Sequence, residues 1–308
     1  MDSQKKNEEL MEGFVATIGM FDGVHLGHQF VLRQMVDLAH ERGLQSLCIT
    51  FDQSPRQEQV LTPLDEKVRL IRLTGIDRVE VLAFTEALKV LTAREFMEQV
   101  LRDQMGVRVL LTGYDNRFGH NREEGFDDYV RHGQELGIEV RCLPPLTDDQ
   151  PSLSVQHVSS SYIRQLLSEG EVAEAAVCMG HPYCINGHVA HGEHIGTELG
   201  FPTANLVPSS PQQLIPAPGA YAVKVTIHTP HSALHTQNGM MNIGTRPTFD
   251  GHEQTIEVHI LHFHEDLYGL PLSVEFVGRL REERRFDSMD ALKEQLKQDA
   301  IQAEQMLL

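Results

Sequence analysis

The stretch Gly19-Met20-Phe21-Asp22-Gly23-Val24-His25-Leu26-Gly27-His28 holds the first residues suited to chemistry. Gly23 and Gly27 lack a Cβ and would let a polyphosphate come close to the backbone. His25 and His28 are three apart, so on a helix they share one face and can donate ring N–H bonds to phosphate oxygens. A second cluster, Val158-Ser159-Ser160-Ser161-Tyr162-Ile163-Arg164, reads as a serine-capped helix start. Arg164, one turn after Ser160, sets a fork-shaped cation beside that helix's N-terminal dipole, a pairing suited to anions. The third feature is Glu257 in Thr255-Ile256-Glu257-Val258-His259-Ile260. Strand alternation puts Glu257 and His259 on one face, where a carboxylate needs a partner or a task. Seventeen histidines are present, eleven of them from His181 onward. No H-E-x-x-H occurs, and strand spacing turns His262 away from His259, so no dedicated zinc site is expected.

These residues need elements to hold them. Apolar or β-branched runs at Phe14–Gly19, Leu44–Phe51, Val79–Phe84, Val107–Gly113 and Ile138–Leu143 predict five strands. Between the first two, Leu26, Phe30, Val31, Met35 and Leu38 step by three or four over Leu26–Arg42 and predict a helix. Thr92 and Glu95 form a capping box, while Gly43, Gly106 and Gly137 mark helix ends. Such alternation predicts an α/β Rossmann-like domain with a parallel sheet, and places the histidine stretch where strand one passes into helix one. From Gly187 to Leu280 the pattern changes to short strands divided by Gly and Pro, which predicts a small antiparallel sheet closed into a barrel or folded as a sandwich. A final helix capped by Ser288 carries Met289, Leu292, Leu296, Ala300, Ala303 and Leu307 as one stripe, expected to pack on that sheet. The expected domains are 1–180 and 181–308.

Composition narrows the function. The chain has 308 residues and a net charge of −18, with 26 Lys and Arg against 44 Asp and Glu. That balance argues against nucleic-acid and anionic-membrane partners, both of which need excess cations. A local phosphate site remains open to it, because backbone N–H groups and a few side chains suffice. Four cysteines without a C-x-x-C pair suit free thiols in a reducing compartment. With no apolar run of ~18 residues and no signal-like start, a soluble, cytoplasmic protein is expected.

The histidine stretch resembles the H-x-G-H nucleotidyltransferases, and further segments narrow the likeness to the bacterial bifunctional riboflavin kinase/FAD synthetases. Leu110-Leu111-Thr112-Gly113-Tyr114-Asp115-Asn116-Arg117-Phe118-Gly119 looks like that family's flavin and nucleotide loop, and Ser159 to Arg164 like its S-S-T-x-I-R motif. Gly200-Phe201-Pro202-Thr203-Ala204-Asn205-Leu206 carries its P-T-A-N motif, and Met241 to Thr248 matches a further segment. The resemblance implies a fold of nucleotidyltransferase domain followed by an all-β riboflavin-kinase barrel with a C-terminal helix. It implies two activities, phosphorylation of riboflavin to FMN and adenylylation of FMN to FAD. ATP with Mg2+ would serve both, flavins being substrate and product; oligomeric state stays open. By the same resemblance Gly19, Phe21, Asp22, Gly23, Gly27, Ser160 and Arg164 hold nucleotide beside His25 and His28. Asp115, Asn116 and Phe118 would hold flavin. In the barrel Gly192 and Thr203 would bind nucleotide, Thr203 and Asn205 the metal, and Glu257 would be the general base. Arg281, near the end of the last strand, is either a nucleotide or flavin contact or half of a surface salt bridge.

The likeness departs from the family at three points, all in the first half. The usual F-x-P-H-P reads Phe51-Asp52-Gln53-Ser54-Pro55, Asn116 stands for an aromatic, and Met20 for Asn. A riboflavin kinase with a weakened or silent first domain is therefore the alternative.

Overall fold

The structure is a computed structural model. It describes residues 13–53, 59–113, 116–143, 158–191, 199–229, 235–248, 251–263 and 265–308. Two compact units divide the chain, Met1–Gln156 and His157–Leu308.

In the first unit five parallel strands form one sheet: β1 (Phe14–Ile18), β2 (Gln45–Phe51), β3 (Arg78–Leu82), β4 (Val107–Gly113) and β5 (Glu139–Leu143). Their order is β3-β2-β1-β4-β5. The connecting helices are α1 (Leu26–Arg42), α2 (Leu64–Leu73), α3 (Glu86–Lys89), α4 (Ala93–Glu95, continued as a wider helix over Phe96–Gln104) and α5 (Phe126–Leu136). Alternation along β1 feeds two cores. Val15 joins Phe21, Val24, Leu32 and Met35 on the α1 side, and Ala16 and Ile18 join Phe96, Met97 and Leu101 on the other. Parallel strands buried on both faces need this unbroken apolar character. The capping box at Thr92 and Glu95 forms, and Gly43, Gly106 and Gly137 take positive φ at the helix ends. All five predicted strands are present to within two residues at each end.

The second unit begins with two helices, α6 (Ser160–Glu169) and α7 (Val172–Met179). A closed antiparallel barrel follows: β6 (Cys184–Ala190), β7 (Ala204–Pro208), β8 (Gly219–Ile227), β9 (His235–Thr248), β10 (Gly251–Ile260) and β11 (Pro271–Glu282). The order around it is β10-β7-β6-β11-β8-β9, so the barrel and not the sandwich is realised. The sequence reading put residues 157–180 with the first domain. In the structure α6 is tied to the barrel unit, by Ala217 N donating to Leu167 O at 2.9 Å and Arg279 donating to Glu169 O at 3.0 Å. The last helix, α8 (Met289–Leu307), is capped by Ser288 as expected. Its Leu296, Ala300, Ala303 and Leu307 pack on Ala222 and Met240 of the barrel, whereas Met289, at the start of the stripe, is exposed. No helix among the described residues is long and apolar enough to cross a membrane.

Candidate functional site

The strand order of the first unit reverses between β1 and β4, and open sheets of this kind bind ligands beyond the carboxyl ends of the strands at that point. The turn from β1 into α1 lies there. Phe21, Gly23 and Val24 all have positive φ, at 49°, 81° and 37°. A β-branched residue is costly in that region, on the order of 1–3 kcal/mol, and the fully buried Val24 side chain helps hold it. At Gly23 a Cβ would come within 2.9 Å of the Leu61 side chain, so close packing as well as φ demands glycine. Gly19 closes against Ile49, donating its N–H to that carbonyl at 3.0 Å, and Gly27 is the second residue of α1.

His25 caps α1, its Nδ1 accepting from His28 N at 3.3 Å. A neutral His25 accepting at Nδ1 carries its proton on Nε2. The two rings stack at 3.6 Å between centroids, with the Phe21 ring edge-on to His28 at 5.2 Å. The expectation that the pair shares one face is met, though through the cap and not through two helical positions. Burial pulls the His25 pKa down to about 4. His28 is lowered further below its ordinary value by burial, then by His25 and by the cation of Lys67. Both imidazoles are therefore neutral at physiological pH and act as N–H donors, not as charges.

Asp22 is buried, and its carboxylate accepts from Leu61 N at 3.0 Å and Thr62 N at 3.1 Å. It fastens the chain after β2 beneath the turn. Asn116 donates to Ile18 O at 2.6 Å, joining the loop after β4 to the end of β1. Phe118 lies in the core, stacked on Tyr129 at 4.2 Å and packed on Phe96. Asp115 and Gly192, like Ser54 and Pro55, lie outside the described residues. Ser160 and Arg164 sit on α6 of the second unit, behind the Ser159 cap.

Sequence reading missed Lys67. It lies on the buried side of α2, 5% exposed, and donates from Nζ to Phe51 O at 2.8 Å. A lysine at the spacing of Leu64 and Ile71, both apolar, was the available signal.

In the second unit the cross-strand pairing fixes the site. Glu257 of β10 lies opposite Asn205 of β7 on one side and opposite Asn242 of β9 on the other. Directly opposed residues project from the same face. Ile256 and Val258, the flanking residues, fill the barrel interior, which sets Glu257 and both asparagines on the outer wall. Thr203 donates from Oγ1 to Glu257 Oε2 at 3.4 Å. His259 anchors the same segment, its Nδ1 bonding Pro202 O at 2.7 Å beside the Phe201 ring. His262, by contrast, is exposed and pairs with Glu304. Arg281 faces α8 instead of an open surface. Its guanidinium holds the Asp299 carboxylate at 2.9 Å, with side chains 16% and 2% exposed. This ion pair is half-buried on the Arg281 side and buried on the Asp299 side. Asn242 carried no role in the sequence reading; an amide at the strand position opposite Glu257 was its only signal.

The donor set of hydroxyl, amide and carboxylate oxygens around Thr203, Asn205 and Glu257 suits a hard, partly hydrated cation that also takes phosphate oxygens. No cluster of three His, Cys, Asp or Glu side chains able to hold a metal occurs among the described residues. An ion arriving with a nucleotide fits these residues better than a resident one.

An open sheet with a neutral histidine turn at its switch point and a barrel with an oxygen-lined wall define a two-unit protein of the nucleotide-handling kind. Comparison with known proteins follows the same division. The FAD synthetase family matches residues 7–161, and the riboflavin kinase family matches 179–307. The Escherichia coli K12 protein named bifunctional riboflavin kinase/FMN adenylyltransferase is 36% identical over 299 residues, covering 95% of this chain and 92% of the relative. Its namesake in Bacillus subtilis is 32% identical over 302 residues, covering 94% and 91%. A Streptococcus pneumoniae crystal structure titled as a macrolide-efflux protein is 30% identical, with a TM-score of 0.84 over 95% of this chain and 94% of that one. The chain belongs to the bifunctional riboflavin kinase/FMN adenylyltransferase family.

Proposed function

We propose that the protein makes FAD from riboflavin in two steps, one on each unit. In the barrel, riboflavin's 5′-hydroxyl oxygen attacks the γ-phosphorus of ATP, the bond to the β–γ bridging oxygen breaks, and ADP leaves. Glu257 takes the hydroxyl proton. Thr203 and Asn205 would hold Mg2+ with the nucleotide, and the ion's contribution is to neutralise phosphate charge. Phosphoryl transfer asks mainly for such positioning and neutralisation. In the first unit a phosphate oxygen of FMN attacks the α-phosphorus of a second ATP, and the bond to pyrophosphate breaks. That step needs no protein nucleophile. His25 and His28 donate N–H bonds where charge gathers on the triphosphate, in a turn held rigid before the substrate arrives.

The single observation carrying the reading is the Glu257 row, a carboxylate flanked in register by Asn205 and Asn242 and touched by Thr203. A chromatographic time course with riboflavin, ATP and Mg2+ tests it. FMN should rise and then fall as FAD accumulates. FMN that accumulates without FAD, even when FMN is supplied directly, would leave a kinase alone, the reading favoured by the altered 51–55 segment. We place the protein in the cytoplasm, in keeping with the buried free thiols of Cys48 and Cys178.

A further inference from the structure

The histidine pair leaves an electrostatic gap. A triphosphate brings several negative charges, the chain as a whole is strongly acidic, and both imidazoles at the turn are neutral. Hydrogen bonds alone orient such a ligand, but a net attraction needs fixed positive charge nearby. Among the described residues Lys67 is the one buried Lys or Arg of the whole molecule. Its Nζ is held at Phe51 O, the last residue of β2, so the ammonium sits at the carboxyl end of the sheet where ligands of this fold bind. It lies close enough to His28 to act on that ring electrostatically. Burial pulls the Lys67 pKa below its ordinary value, with Asp22, Cys48 and Asp52 opposing that shift. The Asp22 carboxylate accepts from Leu61 N and Thr62 N.

We infer that Lys67 is an electrostatic positioning residue of the adenylyl-transfer site, supplying positive charge from the carboxyl end of β2. It acts through space on the bound triphosphate and on the pyrophosphate that leaves. The inference rests on the proposed adenylylation in the first unit, and the turnover assay alone would not separate the two. Binding of inorganic pyrophosphate, the group that only the adenylyl step releases, does separate them.

The test compares Lys67→Gln, which keeps a donor for Phe51 O and loses the charge, with Lys67→Arg, which keeps both. Titration calorimetry with pyrophosphate and steady-state FAD synthesis from FMN are measured on the full chain, with hydrogen exchange of β1 and β2 amides to report folding. Lys67→Gln should weaken pyrophosphate binding and raise the KM for ATP about tenfold, leaving the KM for FMN unchanged, as loss of one nearby charge predicts. Lys67→Arg should restore most of both. Should Lys67→Gln lose amide protection, Lys67→Met replaces it under the same criteria, since an apolar chain of that length fits a buried site. Pyrophosphate binding equal to wild type in a folded, uncharged variant overturns the inference. So does equal impairment of the Arg and Gln variants, which would make Lys67 a scaffold residue only. A wild-type chain that binds pyrophosphate but makes no FAD would instead overturn the two-step reading, and the binding comparison would still decide the role of Lys67.

Discussion

The two units solve phosphate handling with opposite materials. At the edge of the open parallel sheet, strand ends and a helix start leave backbone N–H groups without intrahelical partners, so a turn and two ring nitrogens complete the site. In the closed barrel each strand is hydrogen-bonded on both sides, so its backbone is already used. The site there has to be made of side chains, and register alone brings Asn205, Glu257 and Asn242 into one row. The first site is strained, built around buried neutral histidines and one buried lysine. The second is an oxygen-rich wall stiffened by its own ladder.

The largest expected effect that would sharpen this contrast is on the barrel. Glu257→Gln should slow FMN formation on the order of 10³-fold, as loss of a general base does, while FMN-to-FAD conversion by the same protein stays near wild type. His28→Ala should do the reverse, cutting FAD synthesis about 10²-fold with FMN formation intact. If either variant, still folded, abolished both steps in separate assays with riboflavin and with FMN, the assignment of one site to each unit would be wrong.

Two stability measurements probe the same division. Asp299→Ala strands the Arg281 guanidinium and should destabilise the barrel unit by about 3–5 kcal/mol, read as faster hydrogen exchange in β8 and β11 but not in β1. Acidification should act on the other unit. The folded pKa of His25 is about 4 against an ordinary 6.5, so the unfolded chain binds the proton more readily between those values. Stability from this group is complete above pH 6.5 and is lost as pH falls toward 4, to the extent of roughly 3 kcal/mol. Protection factors in β1 and β4, corrected for the slower intrinsic exchange in acid, that did not fall between pH 6.5 and 4.5 would show that the histidines are not buried neutral. The smallest expected effect is Asn116→Ala, which removes the bond to Ile18 O and should cost about 1 kcal/mol, seen as a small drop in melting temperature of the first unit.

Much of this was legible in the sequence because its signals are local. Five strands follow from runs of β-branched residues, and the Thr92–Glu95 box and the glycines after helices set their own boundaries. The histidine turn was legible for the same reason, since all its parts fall within ten residues. What escaped depends on distance along the chain. Lys67 meets the turn only because β2 ends beside β1. Asn242 acquires a role only through barrel register. The bonds of Asp22 to Leu61 and Thr62 and the stacking of Phe118 on Tyr129 are tertiary as well and leave no local signal. Likewise α6 reads as the end of an α/β domain until its carbonyls are found bonded to Ala217 and Arg279.

The placement of β1 at the centre of its sheet also bears on how the chain is made. β1 leaves the ribosome before its partner β4, which follows roughly 90 residues later. At ~5–20 residues per second that delay lasts roughly 5–20 s. Throughout it, one edge of the most apolar strand in the unit lacks its neighbour, and Asn116 is not yet there to seal the end of Ile18. The turn after β1 is thus synthesised well before the strand and the loop that support it.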